Sequence, residues 1–470
     1  MKSRILSSAN VIRLLVAITL VALMLPVPAV AQEGLKTFTG SFPDGATYLI
    51  DVPVGWNGTL FLYSHGYTTP ETPNPPADTG DLLVRLYLLS HGYALAGSSY
   101  ASTGWAIQNA LEDQIAVLDK FNQLVGQPSR TLAWGHSLGG IITAGLVQKH
   151  PERFAGALPL CGVLAGSVGF WNQLLDSAFA FNTLLASGQL QVVHITDPAV
   201  NLINAEQILS NAQATPEGQA RIALVAALVD SPGWIDPFSP PPTDFATLES
   251  NQFISLAQDF NFVLYFALRA ELEGRAGGNP SWNTGVDYEK QVKLSVDYTE
   301  VQGLYKAAGL SLEADLKKLN SAKRIVADPA AVEYLQQNVI FDGEIKVPVL
   351  TVHTIGDDLV NVQNEQAYAS VVERAHQTSL LRQAFVHRAG HCQFTPAEVI
   401  AGIQTLLSRV NTGEWEGTDP AHLNAAASGL PPVYNMLFFG APPSPPAFVD
   451  YHPAPFLRLF DTLDQVPRIP

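Results

Sequence analysis

Cysteine is nearly absent from this sequence. The 470 residues contain two, Cys161 and Cys392. No closely spaced group of Cys and His offers the ligand pattern of a metal site, so neither a metal nor another cofactor is expected. Charge is scarce as well: 14% of residues are charged against 47% hydrophobic. That balance excludes a disordered chain and leaves ample material for a core. Positive charge is the scarcest, with 26 basic residues against 42 acidic ones and a formal net charge of −16. A nucleic-acid partner is disfavoured, because phosphate binding wants a basic face. Internal repeats are also missing.

The N-terminus carries an address. Lys2, Arg4 and Arg13 are followed by a mostly apolar run from Val11 to Leu25, then by Pro26, Pro28 and the small-x-small sequence Ala29-Val30-Ala31. This is the pattern of a secretory signal peptide over residues 1–31, cleaved after Ala31. The competing reading is an uncleaved anchor, for which the apolar run is a little short. Cleavage removes three basic residues and no acidic one, leaving 23 basic against 42 acidic. A secreted or periplasmic protein with an acidic surface and no integral membrane span is expected.

Strand and helix patterns alternate from there on. Thr59–Tyr63 reads as a buried strand running into Ser64-His65-Gly66-Tyr67, and Leu82–Leu89 as a helix stopped by Gly92. Tyr93–Ala96 is a short strand, Leu111–Val125 a helix with Ile115, Leu118, Phe121 and Leu124 on one face, and Thr131–Trp134 a strand. Ile141–Lys149 is a helix ended by Pro151, and Ala155–Leu160 the next strand. Such alternation predicts an α/β fold: a mostly parallel sheet covered by helices. From Gly166 to Phe341 the patterns are mainly helical, with helix starts at Thr215-Pro216 and Asp328-Pro329 and one apolar face from Phe253 to Leu268. Alternation resumes with a strand at Lys346–Val352, a helix at Gln363–Ala375, a strand at Leu381–Val386 and a capping box, Thr395-Pro396-Ala397-Glu398. The stretch after Trp415 is too rich in aromatics for a solvated linker and is expected to pack on the domain.

The chemistry centres on Gly135-His136-Ser137-Leu138-Gly139, a Gly-x-Ser-x-Gly match between a strand and a helix. Small residues at both ends let the strand and helix approach, and the sharp turn lifts the serine to the top of the sheet. On these residues the chain resembles the α/β-hydrolase superfamily, in which nucleophile, acid and histidine follow in that order. The resemblance implies Ser137 as nucleophile. It places the acid in Gly356-Asp357-Asp358-Leu359-Val360, Asp357 being preferred to Asp358 because it stands three residues before Val360. It makes His391, in Ala389-Gly390-His391-Cys392, the base, whereas His387 falls within a strand. The backbone N–H groups of Leu138 and Tyr67 are the expected oxyanion donors, with His65 shaping that loop. The resemblance further implies a core of residues 32–165 and 342–415, a helical lid at 166–341 and a C-terminal extension at 416–470.

Cys161 ends the strand after the nucleophile helix, at the sheet edge where this site should lie, and Cys392 follows His391. A Cys161–Cys392 disulfide tethering the histidine loop is therefore expected in an exported chain. Tannases and feruloyl esterases of this fold also place Cys after the catalytic His, but its partner precedes the Ser; here that position is His136. The expected activity is hydrolysis of a small or polymeric carboxylic ester through an acyl-enzyme. An exported peptidase or amidase, or a non-catalytic envelope binding protein on the same scaffold, are the alternatives. Ser137 argues against the dehalogenase branch, which uses an Asp nucleophile.

Overall fold

The computed structural model describes residues 34–258 and 261–460. The expected signal peptide, residues 1–31, lies outside them. A nine-stranded sheet organises the chain: β1 (Lys36–Ser41), β2 (Thr47–Val52), β3 (Thr59–Ser64), β4 (Ala94–Ser98), β5 (Arg130–His136), β6 (Gly156–Leu160), β7 (Val349–Gly356), β8 (Leu381–Ala389) and β9 (Phe448–Val449). The spatial order is β1-β2-β4-β3-β5-β6-β7-β8-β9. Strands from β4 to β8 pair in parallel, and β1, β2 and β9 join antiparallel. All residues of β3, β4 and β6 are buried, as helices on both faces require. The two antiparallel strands that open the chain are not announced by the sequence patterns. β1 is exposed and mostly polar, and β2 is too short and too evenly buried to show a clear alternation.

The sheet is crossed by α1 (Leu82–Ser90), α2 (Ile107–Leu124) and α3 (Leu138–Lys149). Between β6 and β7 come α4 (Gly166–Leu184), α5 (Pro198–Gln213), α6 (Pro216–Ala227), α7 (Phe245–Gln258), α8 (261–276), α9 (Tyr288–Leu294), α10 (Tyr298–Ala307), α11 (Leu312–Ser321) and α12 (Pro329–Gln337). After β7 follow α13 (Gln363–Arg374), α14 (Pro396–Thr412) and α15 (Pro420–Ser428).

Several helix ends follow from local chemistry. Thr215 caps α6 by accepting from Gly218 N–H, and Thr395 and Glu398 complete the reciprocal box at the start of α14. Asp328 behaves differently from expectation: it precedes Pro329 but gives α12 no side-chain cap, because its carboxylate instead accepts from Asn279 N–H at 2.8 Å. The single apolar helix expected from Phe253 to Leu268 is likewise not one regular helix. Residues 245–258 form α7, Asp259 and Phe260 fall outside the described set, and Leu264–Leu268 of α8 is π-helical.

The long run between β6 and β7 does not build a core of its own. Phe181 on α4 and Leu224 on α6 belong to one continuous apolar cluster with Leu60 on β3, Ala133 on β5 and Ile142 on α3. At the other edge β9 pairs with β8, Phe448 opposite Val386, so the C-terminal stretch covers that side of the sheet. Among the described residues no helix is long and apolar enough to cross a membrane.

Candidate active site

β5 ends at His136, and α3 begins at Leu138. The one residue between them, Ser137, has φ 59° and ψ −122°. A non-glycine residue rarely accepts such a backbone, and the surrounding contacts hold it there. Ser137 N–H donates to Leu160 O on β6 at 2.9 Å, and its carbonyl accepts from Gly140 N–H at 2.8 Å. The flanking glycines are a packing necessity. A Cβ on Gly135 would stand 2.4 Å from Ser64 O, and one on Gly139 only 1.9 Å from the same oxygen. Gly66 lies directly against the serine, since a Cβ there would be 3.5 Å from Ser137 Cβ. The loop carrying Tyr67 therefore borders Ser137, as does the first turn of α3 with Leu138.

His391 arrives on the loop after β8. Its Nε2 is 2.8 Å from Ser137 Oγ, and its Nδ1 is 2.7 Å from Asp357 Oδ2. Asp357, fully buried at the exit of β7, has its other oxygen occupied: Oδ1 accepts from Leu359 N–H at 3.1 Å and Val360 N–H at 2.8 Å. Burial works to raise the Asp357 pKa, but the neighbouring His391 and His353 outweigh it and hold the carboxyl well below the usual range. His391 Nδ1 meets Asp357 and not Asp358, which is 8% exposed and whose carbonyl accepts from the Asn261 side-chain amide at 3.1 Å.

The loop bearing His391 is fixed from several sides. Cys392 is joined to Cys161 in a disulfide. Thr354 Oγ1 donates to Gly390 O at 2.8 Å, and Gly390 N–H to Gly356 O at 2.8 Å. The Arg388 guanidinium donates to Gln393 O and makes a two-pronged pair with Glu398 at 2.6 and 3.0 Å. His136 sits beneath the site with Nδ1 3.3 Å from Tyr63 Oη, and burial together with nearby His391 lowers its pKa to about 4. His65 stacks on Tyr100, and both its nitrogens meet backbone carbonyls, so it shapes the Gly66–Tyr67 loop. His387 is exposed on β8 and packs against Trp234.

A cleft of about 260 Å³ opens beside His391, lined by Ile235, Pro237, Asp358, Leu359, Gly390 and Gln393. A larger groove of about 550 Å³ runs along β8, β9 and α15, and none of Ser137, Asp357 and His391 lines it. The sequence reading missed His353, which lies behind Asp357 with Nε2 3.4 Å from Oδ2.

Residues 91–168, which include the strained serine, match the prolyl oligopeptidase family. Over 421 residues the chain is 31% identical to an o-phthalyl amidase from Xanthobacter agilis, covering 83% of this chain and 90% of that one. The chain belongs to this amidase's family, within the α/β-hydrolase superfamily. As a serine hydrolase of that kind it also aligns with solved structures at lower identity. A feruloyl esterase B from Aspergillus oryzae is 13% identical, covers 81% of this hydrolase and 82% of its own chain, and gives a TM-score of 0.43. Another esterase from Aspergillus oryzae is 14% identical over 82% and 80% of the two chains, with a TM-score of 0.41.

Proposed function

We propose that this hydrolase cleaves a carboxylic ester through an acyl-enzyme on Ser137. One observation carries the reading: Ser137 Oγ, His391 and the buried Asp357 form an unbroken hydrogen-bonded chain at 2.8 and 2.7 Å. Ser137 Oγ attacks the acyl carbon as His391 Nε2 takes its proton. Asp357 holds Nδ1–H and stabilises the imidazolium. The oxyanion accepts from the backbone N–H groups of Leu138 and Tyr67, and His391 returns the proton to the leaving alcohol. Water, deprotonated by His391, then attacks the acyl-serine and releases the acid.

A second reading is an amide substrate, which the same steps cleave with an amine as leaving group. The relative named as an amidase favours it. The segment 166–341 acts in this proposal as a lid, with Ile235 and Pro237 forming the apolar wall beside His391. The Lys2-to-Ala31 pattern supports export to the periplasm or medium.

The test is a panel of p-nitrophenyl esters and matched anilides. Ser137→Ala should lose at least about 10⁴-fold in turnover while staying folded. Asp357→Asn should lose on the order of 10⁴-fold by leaving His391 in the wrong tautomer, with Asp358→Asn mild. Retained turnover in Ser137→Ala would end the proposal, and the reverse ranking of the two carboxylates would reassign the acid. Anilides cleaved faster than esters would select the second reading.

A further inference from the structure

His353 takes no part in the chain from Ser137 to Asp357, yet it is built against its far end. Its side chain is fully buried on β7. Nε2 is 2.8 Å from Val360 O and 3.4 Å from Asp357 Oδ2, the oxygen that also meets His391. Nδ1 is 3.1 Å from Glu365 Oε1 on α13. The other Glu365 oxygen accepts from Thr351 Oγ1 and from the Gln383 side-chain N–H group, both at 2.5 Å.

A carbonyl only accepts, so Nε2 carries hydrogen toward Val360 O. Glu365 Oε2 receives two donors, and Oε1 faces Nδ1, the arrangement in which a carboxylate accepts from Nδ1–H. His353 is then an imidazolium inside the protein. Burial opposes that charge, but the hydrogen bonds to Asp357 and Glu365 overcome it and raise the His353 pKa to about 10. The charged or titratable groups facing this unit are Asp357 at the end of β7 and Glu365 on α13. His391 lies beyond Asp357, and the Tyr368 phenol stands near Glu365 on α13, with Asp342 next to it in turn.

We infer that His353, held by Glu365, is a positioning residue for the acid: it pins Asp357 Oδ2 between two imidazoles and draws off part of its negative charge. The inference rests on the Ser137 reading above. Its consequence is a working range extended toward acid. The charges of His353 and Asp357 act on His391 with opposite sign, and neutral His391 is the form that activates Ser137.

Fluorophosphonate labelling of Ser137, followed from pH 4 to 9, separates the possibilities. In the wild type the labelling rate should rise along an acid limb. In Glu365→Gln, which keeps a hydrogen-bonding side chain but lets His353 become neutral, that limb should move upward by about half to one pH unit. His353→Gln should move it the same way. A wild type that is not labelled at Ser137 would sink the Ser137 reading itself. A labelled wild type with coincident limbs in folded Glu365→Gln would overturn the inference alone. Should either variant fail to fold, ¹⁵N-imidazole spectra of the wild type decide. A buried ring protonated on both nitrogens at pH 8 supports the inference, and the absence of any such ring refutes it.

Discussion

Replacing both Cys161 and Cys392 with Ser opens the bridge between the strand after the nucleophile helix and the histidine loop. Two separable effects are expected. The first is on stability. The bond links positions 231 residues apart, and the loop-entropy account of cross-links gives about 5 kcal/mol for a closure of that length. The native state gives some of this back. Cys161 and Cys392 both have positive φ, 43° and 56°, conformations that cost roughly 1–2 kcal/mol for a residue with a side chain and that relax once the tether is gone. A net loss of about 1–3 kcal/mol is expected, a sizeable share of the 5–15 kcal/mol typical of folded domains. The second effect is on rate. Without the bond, His391 is still held by the hydrogen bonds of Gly390 and by the Arg388 contact with Gln393. The loop should loosen rather than detach, with turnover falling by about 10–100-fold, the scale of a 1 Å misplacement. Urea unfolding followed by tryptophan fluorescence reads the first effect, and the rate of Ser137 labelling reads the second. A double variant with an unfolding midpoint indistinguishable from wild type and turnover within two-fold would refute the tether.

Two further expectations concern the segment between β6 and β7 and the cleft beside His391. Burial raises the pKa of Asp230, Glu249 and Glu300 to about 7 each, and each has a buried carboxyl oxygen without a hydrogen-bond partner among the described residues. Because their folded pKa values lie above the unfolded ones near 4, the folded chain keeps protons the unfolded chain releases. Stability should therefore be highest near pH 4–5 and fall as the pH rises through about 7, lowering Tm by several degrees, with the slope flattened in Asp230→Asn. A Tm that rises from pH 5 to 8 would contradict this. Truncating Ile235 and Leu359 to Ala in the cleft beside His391 should shift acyl-size preference by about ten-fold while changing Tm little; an unaltered substrate profile would detach that wall from the site.

The Ser137 turn was legible in the sequence because its demands are local: two glycines, a strand before and a helix after. Asp357 and His391 were legible through chain order and through their places at strand exits. His353 was not, because it lies inside a buried strand and its partner Glu365 comes from the next helix, so no short motif records the pair. The strands β1 and β2 escaped for a different reason, β1 for its exposed polar face and β2 for its burial on nearly every residue, and β9 because two residues carry no period. The helical segment was legible in its spacing, but the π-helical turn at Leu264–Leu268 was not. Apolar spacing at the α-helical period does not report a π-helical stretch, whose i→i+5 bonding puts more residues in the turn.

The neighbours β6 and β7 carry a consequence for how the chain acquires its structure. Leu160 and Val352 pair across the middle of the sheet, yet nine helices lie between them among the described residues. The first half of the sheet, β1 to β6, can assemble from nearby segments. The second half must wait until its strands return over a very long loop, whose closure is slow even where its equilibrium cost is modest. Until β7 docks, the edge of β6 stays open, an invitation to pair with another chain. Ser137 is then already on its turn while Asp357 and His391 are still unplaced, so refolding should recover the sheet's spectroscopic signal before it recovers turnover.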